Sequence, residues 1–164
     1  MKKILIIIFV LIISVPIYMY FIGNSFLNIK EYELKAINEN FKDLKIVQFS
    51  DINYPFIIDM NKIRNVVNTI NYLNPDIVIF NGNLINNKIN NNQKESLINE
   101  LKNIKAKYAK LYVTGDKDSD ITHTILNKSD FKEINNEEIF DLNNNTLTIS
   151  NKDSVSKKTD ILVT

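Results

Sequence analysis

Three short apolar runs, rich in β-branched and aromatic residues, recur along this chain: Leu44 to Ser50, Asp76 to Phe80 and Leu111 to Thr114. Runs of that length without polar alternation are typical of strands covered on both faces, as in a parallel sheet. What separates them is helical. Asp59 stands as a cap before Ile63, Val66, Val67, Ile70 and Leu73, spaced for one helix face, and Asn74-Pro75 stops the pattern. After a polar loop over Asn86 to Asn92, Leu97, Ile98, Leu101 and Ile104 mark a second amphipathic helix. Strand, helix, strand, helix, strand implies right-handed parallel crossovers and a layered α/β fold. In such a sheet the ligand site lies beyond the carboxyl ends of the strands, here after Ser50, Phe80 and Thr114.

The remaining segments are read in the same way. Ile121 to Leu126 forms a short helix; Glu138 to Leu142 and Thr146 to Ser150 flank Asn143-Asn144-Asn145 as a hairpin; Asp160 to Thr164 is a further buried strand. A short strand is expected over Ile29 to Leu34, where alternation is weak.

At the amino terminus, Ile4 to Ile22 carries no charge and is dense in Ile, Leu, Val and Phe. As a helix rising about 1.5 Å per residue it covers roughly the 30 Å of a bilayer core. Lys2 and Lys3 precede it and the next basic residue is Lys30, so the positive-inside rule keeps the amino terminus cytoplasmic and sends the remainder outward. A cleaved signal peptide shares this outline, but the run is longer than a usual signal core and no clear small-x-small cleavage site follows. The expectation is a single-pass anchor over 1–23, a connecting segment over 24–42 and one extracytoplasmic domain over 43–164, in the cell membrane.

Composition narrows the partners. Lys and Arg number 20 against 19 Asp and Glu, leaving no basic surplus for a nucleic-acid backbone. There is no cysteine, hence no disulfide, thiolate metal site or cysteine nucleophile, and a single histidine, His123. Asparagine runs are a compositional bias that weakens arguments from any one Asn.

The segments LKIVQFSDIN, NPDIVIFNGNLIN and KLYVTGDKD, in this order and strand context, resemble the three leading motifs of the calcineurin-like metallophosphoesterases: Asp-x-His, Gly-Asp, and Gly-Asn-His followed by Asp or Glu. The apolar leader resembles the membrane-bound bacterial branch of that family. The resemblance spans Leu44 to Asp118 and implies that family's layered fold with βαβαβ units. It also implies a two-metal phosphoesterase site, in which Asp51 matches the first ligand. Asn53 stands where the first His is expected, Asn83 at the bridging Asp, Asp116 at the metal-binding Asn and Lys117 at the catalytic His. Gly82, Gly115 and Asp118 match the pattern.

These replacements have a physical cost. A bridging carboxylate offers anionic oxygens to two cations, whereas the Asn83 amide offers one neutral oxygen. A protonated Lys117 cannot ligate, and its charge opposes a cation. The one histidine, His123, falls outside every motif, and the strand over Asp160 to Thr164 is where the family pattern would run into another, so the resemblance covers an amino-terminal half truncated at the carboxyl end, with a second polypeptide as a conceivable partner. The expectation is a membrane-anchored, catalytically inactive member with no catalytic residue and no cofactor. The alternative is a reduced phosphoesterase site in which Asp51, Asn53, Asn83 and Asp116 hold one hard cation, Mg²⁺ or Ca²⁺. Lys117 is expected to replace the cations by pairing with Asp51, Asp116 or both, the plainer alternative being a loop lysine that points into solvent.

Simpler roles compete at each position. Asp51 serves equally as a turn residue. Gly82 and Gly115 serve tight turns. Asp116, Asp118 and Asp120 alternate as in a calcium loop, but the Gly and terminal Glu of that motif are missing. His123 reads as an ordinary surface or half-buried residue. Tyr54-Pro55-Phe56 reads as closing the strand-to-helix turn.

Overall fold

The computed structural model describes residues 3, 9–15, 27, 29–34, 41–86, 88–115, 118–142, 145–151 and 160–163. The chain divides into two units, Met1–Glu33 and Leu34–Thr164. In the first, residues 9–15 are helical, with Phe9, Val10, Leu11, Ile12, Ile13 and Val15 all exposed. Most of the apolar run over 4–22 lies outside the described residues, and no helix among those described is long and apolar enough to cross a membrane. Residues 29–34 form no strand. Tyr32 and Leu34 are largely exposed there, so the weak alternation does not mark a buried face.

The second unit holds the fold. Its elements are β1 (Ile46–Phe49), α1 (Met60–Leu73), β2 (Ile77–Asn81), α2 (Asn91–Lys102), β3 (Ala109–Val113), α3 (Asp120–Lys128), β4 (Lys132–Glu133), β5 (Glu137–Leu142), β6 (Asn145–Asn151) and β7 (Ile161–Val163). The first four strands form a wholly parallel sheet in the order β1-β2-β3-β4, and the last three form a second sheet in the order β5-β6-β7. In the second sheet β5 and β6 are an antiparallel hairpin, and β7 joins β6 in parallel.

Side-chain alternation in β2 explains the layering, because successive residues of a strand point to opposite faces. Val78 and Phe80 pack with the helices, among Ile63, Val67 and Ile70 of α1, Leu97 and Leu101 of α2, and Ile125 and Leu126 of α3. Ile77 and Ile79 point the other way, into a second core with Leu147, Ile149 and Val163 of the other sheet. The order is therefore helices, parallel sheet, second sheet. Emptying either core at a fully buried position, as by Leu97→Ala, costs about 2–5 kcal/mol.

The helices begin and end where local chemistry dictates. The Asp59 side chain accepts from the Lys62 backbone N–H at 2.9 Å, and Asn74 closes α1 in the left-handed conformation at φ 49° just before Pro75. Asn90 opens α2 with a capping box, its side chain and that of Gln93 each accepting from the other's backbone N–H at 2.9 Å.

Three expectations change here. The loop expected over Asn86 to Asn92 ends earlier, since Asn90 is a cap and Asn91 and Asn92 are the first helical residues. The strand expected to be covered on both faces, β1, packs Val47 and Phe49 into one core and Ile46 into the other, but it is only partly buried, with Gln48 exposed and β2 its one neighbour among the described residues. Strand β4, which has only two residues and both charged, was not anticipated. Its neighbours Phe131 and Ile134 supply the burial that seats it.

Candidate functional site

Beyond the carboxyl ends of β1 and β2 the two chains keep pairing as they turn away from the sheet. Asp51 N–H donates to Gly82 O at 3.1 Å, Asn53 N–H to Asn83 O at 3.0 Å, and Tyr54 N–H to Leu84 O at 3.0 Å. This seam requires left-handed backbone at Asp51, Asn53, Gly82 and Asn83, with φ of 57°, 48°, 78° and 63°. Asn, Asp and Gly are the residue types that adopt that conformation at least cost. Ile52, Tyr54 and Leu84 are buried beneath the seam. Tyr54 thus belongs to the core, while Phe56, its side chain largely exposed, closes the turn through its backbone N–H to Asn53 O at 3.1 Å.

Gly82 meets the third loop at close range. A Cβ on Gly82 would lie 2.8 Å from the Gly115 backbone nitrogen, and one on Gly115 would lie 3.2 Å from Asn83 Oδ1. Asp118 then ties the loops together. Its Oδ2 accepts from the backbone N–H of Asn83 and of Gly115, both at 2.8 Å, and its Oδ1 accepts from Leu84 N–H at 3.0 Å and Thr122 Oγ1 at 3.2 Å. One half-buried carboxylate fixes the loop after β2, the loop after β3 and the first turn of α3.

The exposed Asp51 carboxylate lies across from Asn83. Its Oδ1 accepts from Asn83 Nδ2 at 2.8 Å and its Oδ2 from Ser50 Oγ at 2.7 Å, while Asn53 Nδ2 donates to the Asp51 carbonyl at 3.1 Å. An ionised carboxylate only accepts, so the amide of Asn83 must present its NH₂ group to it. A bridging metal ligand would instead present an oxygen. Both Asp51 oxygens are thus engaged by neutral donors, and among the described residues no three His, Cys, Asp or Glu side chains converge. At Asp51 and Asn83 the seam turns an N–H donor to the carboxylate where a two-metal centre would need an oxygen.

Five of the eight residues singled out from the sequence therefore form one connected seam: Asp51, Asn53, Gly82, Asn83 and Gly115. Asp118 joins it as the tie. Asp116 and Lys117 lie outside the described residues, and with them the expected pairing of Lys117 with Asp51 and Asp116. Ser50 was not singled out; its position beside Asp51 at the strand end was the available signal.

A second polar cluster lies along the other edge of the parallel sheet, and it includes the residue read as ordinary. Tyr112 Oη lies 3.3 Å from His123 Nδ1, 3.2 Å from Asn127 Oδ1 and 3.3 Å from Glu133 Oε2. His123 Nδ1 lies 3.3 Å from Glu133 Oε1. Burial, reinforced by the negative charge of Glu133 and the hydrogen bond to it, pushes the Tyr112 phenol up to about 12.

Fold and seam define the chain as a mixed α/β protein with a loop site at the carboxyl ends of a four-stranded parallel sheet. No family model matches it. Over 101 residues it is 31% identical to the uncharacterized metallophosphoesterase YkuE of Bacillus subtilis (strain 168), an alignment that covers 60% of this chain and 35% of that protein. The chain thus spans about a third of the length of that curated relative. Among solved structures, a protein of unknown function from Aquifex aeolicus, AQ665, superposes with a TM-score of 0.40 at 22% identity, covering 66% of this chain and 61% of that one.

Proposed function

We propose that this chain is a metallophosphoesterase-like protein, anchored at the cell membrane by residues 1–23, whose phosphoesterase site binds no metal pair and does not turn over substrate. The likeness to a relative named as a metallophosphoesterase supports the family, and the parallel sheet with its loop site is compatible with it. One observation carries the inactive reading: the Asn83 amide donates to Asp51 where the resemblance calls for a carboxylate shared between two cations. Electrostatic support for two divalent ions is missing at that point.

In this reading the seam is structural, with Asp118 as its tie. The domain faces outward and the membrane is its first partner. β7 is paired on one side only among the described residues, which offers an edge that a second polypeptide could extend.

The competing reading keeps an enzyme with one hard cation among the oxygens of Asp51, Asn53, Asn83 and Asp116. It would require the Asn83 amide to rotate its oxygen toward Asp51, giving up the 2.8 Å bond. The test is turnover of an aryl phosphate diester by the full-length chain in detergent, with Mg²⁺, Ca²⁺ or Mn²⁺ supplied in turn. Rates equal to those of the Asp51→Asn variant support the inactive reading. A cation-dependent rate that Asp51→Asn abolishes supports the reduced enzyme.

A further inference from the structure

The cluster at Tyr112, His123, Asn127 and Glu133 is built from three elements that meet at the β4 edge: Tyr112 from β3, His123 and Asn127 from α3, and Glu133 from β4. His123 and Asn127 are four residues apart on α3, so they share a helix face. The imidazole is held edge-on to the Tyr112 ring, centroids 5.9 Å apart at 71°. His123 and Glu133 keep side-chain exposures of 36% and 28%, so an ion can reach them from solvent.

Lone pairs outnumber hydrogens in this cluster. Asn127 Oδ1 and both oxygens of an ionised Glu133 only accept. The phenol has one hydrogen, which cannot serve Asn127 and Glu133 together. With Glu133 Oε1 at 3.3 Å, His123 Nδ1 must carry a hydrogen to avoid facing another acceptor, and it then supplies the second. Two hydrogens are shared among four close contacts.

The spacing is also slack. Tyr112 Oη lies 3.2 and 3.3 Å from Asn127 and Glu133, against about 2.7–2.8 Å for a well-made O–H···O bond, and both contacts of His123 Nδ1 are 3.3 Å, against about 2.9–3.0 Å where nitrogen donates. Ligand atoms at about 2.0–2.1 Å from a tetrahedral zinc ion are roughly 3.3–3.4 Å apart, close to the 3.3 Å between His123 Nδ1 and Glu133 Oε1.

We propose that His123 Nδ1 and Glu133 form the core of a binding site for one borderline divalent cation such as Zn²⁺, with the neutral oxygens of Asn127 and Tyr112 completing it. On binding, Nδ1 must give up its hydrogen and turn a lone pair to the cation, with the other ring nitrogen carrying the N–H. Tyr112, with its phenol at about 12, stays protonated and contributes an oxygen lone pair or steadies Glu133. One imidazole and one carboxylate, backed by two neutral donors, favour Zn²⁺ or Cu²⁺ over Mg²⁺ or Ca²⁺. The site would clamp α3 onto β4 independently of the seam beyond β1 and β2.

The composition makes the test clean, since the chain has one histidine and no cysteine. Full-length protein in detergent is melted with and without ZnCl₂, and the His123 ring protons, the only imidazole signals in the chain, are followed by NMR during the titration. With a dissociation constant on the order of 10 µM, about 100 µM Zn²⁺ should raise Tm by about 3 °C or more. Mg²⁺ at the same concentration should not. His123→Gln and Glu133→Gln should each abolish the rise, while Tyr112→Phe should only reduce it. The His123 signals should shift saturably in the wild-type chain, a readout that needs no variant to fold. An absent Zn²⁺ effect in the wild type, a rise of equal size in His123→Gln, or His123 signals that ignore Zn²⁺ would overturn the proposal and leave the cluster as a hydrogen-bonded brace for β4.

Discussion

The side-chain amide of Asn83 donates to the Asp51 carboxylate at 2.8 Å across the seam between the first two strand-end loops. The bond joins two left-handed residues, each anchored by its own main chain, so neither side chain can be changed without the other being left facing it.

Asn83→Asp should therefore convert an attractive contact into a carboxylate pair. Backbone strain does not enter, because Asp tolerates the left-handed conformation nearly as well as Asn. Loss of a hydrogen bond to a charged group, discounted because Asp51 is exposed, predicts a destabilisation of about 1–2 kcal/mol at neutral pH. Millimolar Mn²⁺ should restore part of it in the variant and have no effect on the wild type. Thermal melts with Mn²⁺ and with EDTA check this.

Gly82→Ala should be damaging for two reasons acting together. The φ of 78° disfavours a side chain, and the added Cβ would sit 2.8 Å from the Gly115 backbone nitrogen. The expected loss is at least about 1–2 kcal/mol in urea unfolding. Asn74→Gly, at a left-handed helix end where glycine is the favoured residue, should leave stability unchanged or slightly improved.

Asp118→Asn keeps the side-chain shape but turns an NH₂ group toward backbone donors. Whichever way the amide is turned, one pair of the donors now meeting Asp118 loses its acceptor. The expected cost is about 2–3 kcal/mol, seen as a lower urea midpoint with an unchanged m-value.

Much of this architecture could be read before the structure. The α1 positions Ile63, Val66, Val67 and Ile70 are all buried as their spacing indicated, and the meeting of the first three loops followed from strand order alone. Strand β4 escaped because Lys132 and Glu133 look like a surface turn. Its pairing depends on Phe131 and Ile134, which are distant in sequence from the sheet they join. Asn90 escaped because an Asn inside an Asn-rich stretch carries little signal, although Gln93 three residues later completes a capping box. At the site, the direction of the Asn83 amide depends on Asp51 in a different loop, and the role of Asp118 depends on backbone donors from two loops. Neither relationship leaves a trace in local sequence pattern.

Alkaline pH should weaken the fold through Tyr112. Its folded-state value of about 12 lies above the ordinary 10, so the neutral phenol is favoured in the folded chain. That contribution is complete below pH 10 and is lost as pH rises from 10 through about 12, where the unfolded chain ionises first. Lys110 acts oppositely: burial holds its ammonium below the usual lysine range, and the resulting penalty is relieved as pH climbs toward 10.5. Tyr112→Phe should flatten the loss of Tm above pH 10 in a pH series.

The central claim, that the seam at Asp51 and Asn83 holds no metal pair, is tested most directly by metal content. Full-length protein from cells grown with added Mn²⁺ and iron is purified without chelator, dialysed, and measured by elemental analysis. The account predicts well under one Mn or Fe per chain, and the same value for Asp51→Asn. Two such ions per chain, lost in Asp51→Asn, would contradict it.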